Sequence, residues 1–181
     1  MAHSNPSVPT PPIPRDEVHR LAEACSDEGD AFQPTATRLI KDQRRLSRYI
    51  EQNVQHLGPL PAQVALYMLT VTMRIFEQVG GRMSKVATRD IDLAAARISA
   101  QADALLPADA GFAERAKTVA WRAQPHILDE ILWALFERSD EEKKEGEVDL
   151  PTEEGALVYL VMWLAVESLA ANWQPPKGYG A

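Results

Sequence analysis

Four cations at helical spacing are the most regular chemistry in this chain. Arg38, Lys41, Arg45 and Arg48 lie three, four and three residues apart, with Arg44 at the margin. On one continuous helix they line a single face. Such a row can contact phosphates, an acidic patch on a partner, or the chain's own charged run from Arg138 to Asp149. The simpler reading is a solvated helix face, because basic faces are common on exposed helices and the net charge is negative.

A second group follows Pro125. His126, Asp129, Glu130, Trp133 and Glu137 fall on the side opposite the apolar Ile127, Leu128, Ile131, Leu132, Leu135 and Phe136. His126 and Glu130 have the four-residue spacing of two metal-capable side chains on one face. The Glu-x-x-His pairs of di-iron bundles are missing, as is the His-Glu-x-x-His string of zinc proteases, so no metal or other cofactor is expected. Trp133, a large ring on an acidic face, must either pack beneath the neighbouring short helix or the N-terminal helix, or anchor a partner.

A third group, Gln63, Tyr67, Thr70, Arg74, Glu77 and Gln78, is the polar strip of an otherwise apolar segment. Facing a crevice, Tyr67, Arg74 and Glu77 would line it together with Tyr159 and Trp163. Facing water, Arg74 and Glu77 would form an ordinary surface pair. Nucleophilic chemistry has little material. Gly80 to Lys85 lacks the spacing of a phosphate-binding loop, no Gly-x-Ser-x-Gly elbow occurs, and the acids beside Cys25 raise a thiol pKa.

These residues need elements to position them, and the patterning is helical throughout. Gly155 to Val166 carries no charged side chain. A helix apolar on every side must be wrapped by others, and this uncharged stretch is shorter than the roughly 20 residues a bilayer span needs. Around it the spacing predicts helices over about 16–25, 35–57, 61–79, 88–106, 112–121, from 125 onward, and from 152 to near 173. Residues 35–57 carry one apolar stripe, Leu39, Leu46, Ile50, Val54 and Leu57. Pro61 suits a first helical turn, and Gly80–Gly81 closes a helix. The run 138–149 reads as a solvated loop or frayed extension.

The expected fold is therefore all-α, a single-domain bundle of about six or seven helices packed around a central apolar C-terminal helix. Residues 1–14, with Pro6, Pro9 and Pro12 three apart, read as a disordered Pro-rich tail, 15–173 as the helical domain, and 174–181 as a flexible C-terminal tail.

The chain has 181 residues, 45% of them hydrophobic, and a formal net charge of -7. That size fits one domain, and the acidity opposes general binding of nucleic acid or anionic membrane. One cysteine favours a reducing compartment. With no basic cluster and apolar run at the start, the cytoplasm is expected.

Sparse chemistry and two broadly apolar helices point to a small cytoplasmic protein-interaction or regulatory module without catalytic chemistry of its own, able to self-associate as a homodimer. The alternatives are a ligand-binding or catalytic domain with a crevice beside 61–79, and an accessory nucleic-acid binder using the basic face of 35–57.

Overall fold

The computed structural model describes residues 10–144, 147 and 149–180. The protein is all-α: among the described residues eight α-helices are joined by loops, short 3-10 helices, one π-helical turn and a two-residue pair of strands. Helix α8 (Thr152–Ala171) is the element around which the others are arranged. Its Val158, Tyr159, Met162, Trp163, Ala165, Val166 and Leu169 have 0% exposure. Helices α3 (Arg44–Val54), α4 (Pro59–Val79), α5 (Thr88–Leu105) and α7 (Pro125–Leu132) pack on it. Helices α1 (Arg15–Glu28) and α2 (Gln33–Asp42) cover α4, while α6 (Phe112–Lys117) joins α5 to α7.

Enclosure of α8 is extensive without being complete: Leu157 is exposed, and Leu160 and Val161 are half-buried. The whole helix has 20 residues and is long and apolar enough to cross a membrane by length and composition, so the length argument drawn from its uncharged stretch does not extend to it. Burial distinguishes it instead, since 61% of its apolar window lies inside the fold, as in a core helix.

The expected single helix over 35–57 is two helices. Gln43 leaves helical geometry at φ -115° and ψ 49°, ending α2 and starting α3. The break is bonded on every side. Ser47 N–H donates to the Gln43 carbonyl at 2.9 Å and Ser47 Oγ donates to the Ile40 carbonyl at 3.3 Å. The buried Gln43 amide donates to the Ser84 carbonyl and accepts from Val86 N–H, both at 2.9 Å. One side chain thus joins the α2–α3 junction to the loop between α4 and α5. A helix that continued through 43 would lose both long-range bonds, and apolar periodicity does not report them.

That loop is also held from the C-terminal side. Arg82–Met83 (β1) pairs antiparallel with Trp173–Gln174 (β2), setting Arg82 opposite Gln174 and Met83 opposite Trp173. Gly81, at φ +84°, is required here: a Cβ would lie 2.1 Å from the Gln174 carbonyl oxygen. Trp173 donates from Nε1 to the Gly80 carbonyl at 2.9 Å and meets Phe76 and Tyr179 edge-on. The packed body therefore runs past 173.

It also begins before Arg15. Ile13 is fully buried, and its N–H donates to Gln124 Oε1 at 2.9 Å. Pro14 has φ -58° and ψ 146°, polyproline geometry. Residues 10–14 thus belong to the body, contrary to the tail expected there, while Pro6 and Pro9 lie outside the described residues.

Truncating Gln43 to Ala would leave the Ser84 carbonyl and the buried Val86 amide without their partner. The expected cost is about 1–3 kcal/mol, read as a fall of several degrees in Tm by circular dichroism. An unchanged Tm would mean that the junction is not held by this side chain.

Candidate functional site

Helix α4 has two apolar faces. Pro61, Ala65, Leu69, Met73 and Phe76 are buried along one of them. Along the other, Leu60, Val64, Met68, Val71 and Ile75 recur at three- and four-residue steps and form the floor of a crevice of about 420 Å³. Ile127 and Ile131 of α7 and Leu150 add to this apolar lining, and Ala22, Glu23, Ser26 and Asp27 of α1 make the opposite wall. Charged residues of the 138–149 segment, among them Arg138 and Lys144, stand at its rim.

The segment predicted as a solvated loop or frayed extension is largely exposed, and it also borders the crevice, held there by its own charges. Arg138 pairs with Glu147 at 2.6 Å, Lys143 with Asp140 at 2.6 Å, and Lys144 reaches Asp27 of α1 at 3.0 Å. Arg138 Nε is buried without a hydrogen-bond partner among the described residues.

Beyond α7 the chain widens into a π-helical turn, Trp133–Glu137, closed by Arg138 N–H donating to the Trp133 carbonyl at 2.8 Å. Such turns often mark functional positions. This one is seated over the start of α8, where a Cβ on Gly155 would come within 3.1 Å of the Phe136 ring. It brings Trp133, Ala134 and Leu135 to the crevice.

Trp133 is half-buried and meets His19 of α1 edge-on at 5.3 Å, so the N-terminal helix covers it in part. Glu130, expected on the side away from the core, is buried. It accepts from His19 Nδ1 at 3.0 Å and pairs with Arg15. His19 Nε2 faces Glu23 at 3.3 Å. Both imidazole nitrogens therefore face carboxylates, and the two carboxylates lie on opposite edges of the ring. Glu130 is thus engaged by two residues of α1. Among the described residues no three His, Cys, Asp or Glu groups converge as metal ligands.

The predicted crevice residues separate. Tyr67 lines the crevice and is 47% exposed. Arg74 and Glu77 lie further along α4, paired at 2.7 Å, with Arg38 of α2 reaching the same carboxylate. Arg38 and then Arg74 hold the Glu77 carboxyl below its ordinary pKa. Tyr159 and Trp163 are core residues with 0% exposure, not crevice lining. Of the predicted basic face, Arg38 is drawn into the Glu77 cluster, and the break at Gln43 divides the others between two helices that meet there, Lys41 on α2 and Arg45 and Arg48 on α3. Cys25 is buried. Burial, followed by the charge of Glu28, pushes its thiol up to about 11, so it is not a nucleophile at neutral pH.

A second cleft, of about 730 Å³, opens between α5, α8 and the segment before α7. The Arg97 guanidinium lies 4.0 Å from the centre of the Trp121 ring, and Trp121 stacks on Trp163 at 4.5 Å. Glu167 accepts from Ala123 N–H at 2.9 Å and from Trp163 Nε1–H at 3.1 Å. The polar groups of this cleft are largely occupied by one another. Sequence reasoning placed Glu130 on an exposed face and did not single out Arg138 or the α1 side chains of the wall, because periodicity shows that a face is polar without showing which helix covers it.

Comparison of the chain with protein-family models, with curated proteins and with solved structures finds no match.

Burial raises the Glu167 carboxyl pKa, and the hydrogen bonds from Ala123 and Trp163 offset this only in part. The folded state then holds this proton more tightly than the unfolded state, so Glu167 contributes a loss of stability as pH rises from the ordinary carboxylate pKa through its raised value. Glu167→Gln keeps an acceptor oxygen without the charge. The variant is expected to gain stability relative to wild type as pH rises through that window and to hold the gain above it, measured by urea unfolding from about pH 4 to pH 8. A difference independent of pH would contradict the assignment.

Proposed function

We propose that the protein is a non-catalytic helical binding module of the cytoplasm, and that the crevice between α1, α4 and α7 is its site for a small, largely apolar ligand. The observation that carries this reading is the floor. Val64, Met68, Val71, Ile75, Ile127 and Ile131 are apolar side chains of core type that border about 420 Å³ of unfilled space. That volume lies in the range of small-molecule sites, which are mostly apolar with a few polar groups at the edge. A catalytic role is not favoured by the chemistry around it, since His19 faces a carboxylate at each nitrogen and the Cys25 thiol is buried.

One observation favours a second reading, a protein segment as occupant. Leu60 and Tyr67, which line the crevice, are 39% and 47% exposed, so its apolar lining opens to solvent. Interfaces often centre on such aromatic anchors. A second copy of the chain could supply the covering segment as well as another protein.

The neutral, environment-sensitive dye Nile red tests the first reading directly. Wild-type protein is expected to bind it saturably with enhanced fluorescence. Ala22→Trp, which fills the crevice from the half-buried wall on α1, should weaken that binding by about tenfold or more without changing the helical circular dichroism signal. Absence of saturable binding, or equal binding by the variant, would remove the crevice as the site.

A further inference from the structure

Seventeen of the 19 cations on this protein fall into two groups; the other two, Arg97 over the Trp121 ring and Lys177 near the C-terminus, are exposed and outside both. Arg15, Arg20, Arg38, Arg74, Arg115 and Arg122 each lie within ion-pairing distance of a carboxylate, as do Lys117, Arg138, Lys143 and Lys144. Lys41, Arg44, Arg45 and Arg48, together with Arg82, Lys85 and Arg89, are all exposed, and none has an ion pair among the described residues. These seven come from two stretches far apart in sequence, and the Gln43 side chain joins those stretches through Ser84 and Val86. Nearby acids are turned to other work: Asp42 pairs with Arg38, and Asp90 accepts from Ala87 N–H and from Asn172. Glu51 and Asp92, three residues beyond Arg48 and Arg89, mark the edges of the patch.

We infer that this surface, the α2–α3 junction together with the loop from Arg82 to Arg89, docks the phosphodiester backbone of a nucleic acid. Three features select that occupant. Five of the seven cations are arginines, whose planar guanidinium matches phosphate oxygens in pairs. The patch carries no exposed large apolar side chain: Leu60, Tyr67, Leu106 and Leu157 lie elsewhere, and Leu93, the nearest in sequence, lines the cleft beside Trp121. A protein partner would need an apolar or aromatic centre to bury, and a membrane-surface element would need apolar groups to insert. A phosphate backbone needs neither. The net charge of -7 means that the rest of the chain is strongly acidic. At physiological ionic strength that repulsion is screened over roughly 8 Å, so contacts at the patch are governed by its own charges.

The test uses the full chain and fluorescence anisotropy with a labelled mixed-sequence DNA duplex of about 20 base pairs, the matching single strand, and phosphatidylserine vesicles as a separate arm. Binding to nucleic acid is expected at 50 mM salt. With four phosphates engaged it should weaken roughly 150-fold by 200 mM. The variants R45E/R48E and K85E/R89E alter the two stretches separately, and each should reduce affinity by about tenfold or more. R20E, which reverses an exposed cation paired with Glu17 outside the patch, should stay within about twofold of wild type. No binding at 50 mM salt, binding indifferent to salt, undiminished binding by both double variants, or binding to vesicles but not to nucleic acid would each overturn the inference.

Discussion

The structure depends on covering one helix. Helix α8 presents apolar side chains around most of its circumference, and no single neighbour can remove such a surface from water. Four helices pack on it, and the largest fully buried side chains of the protein, Trp163 and Tyr159, belong to it. Much else follows from this arrangement. Gly155 is small so that Phe136 can sit on the helix start, and Trp121 stacks on Trp163 from outside. Leu157, where cover runs out, is left in water.

Helix α4 explains why a crevice accompanies this core. It is apolar on two faces, and α1 with a charged loop closes the second only partly. Salt links such as Lys144 to Asp27 hold the loop against α1, and space remains above Val71 and Ile75. The proposed binding site is thus a by-product of an oversupply of apolar surface. Seven of the nine cations without an ion pair among the described residues come from another part of the surface, the α2–α3 junction and the loop after α4, while Arg97 and Lys177 lie elsewhere.

Much of the fold was legible in the sequence because apolar periodicity reports it directly: the helical class, the central apolar helix, and α4, α5 and α8 to within a few residues. The break at Gln43 was not legible, because it depends on bonds to Ser84 and Val86, some forty residues away. Residues 35–57 therefore read as one rod. The docking of Ile13 was hidden for the same reason, its partner being Gln124. For the candidate site, of the residues singled out as crevice lining only Tyr67 borders the crevice; Arg74 and Glu77 lie outside it, and Tyr159 and Trp163 are in the core. A ring's type does not tell whether it faces a cavity or a core. Net charge is a whole-molecule sum, and it does not report that seven exposed cations without ion pairs among the described residues come from two stretches joined through Gln43.

Native-state hydrogen exchange followed residue by residue tests the central claim most directly. If α8 is the covered spine, its amides from Val158 to Leu169 exchange only through global unfolding and form the slowest group, while α1 and the turn at Trp133 exchange through smaller openings. Amides of α8 exchanging as fast as those of α1, with the rest of the protein still folded, would contradict the account.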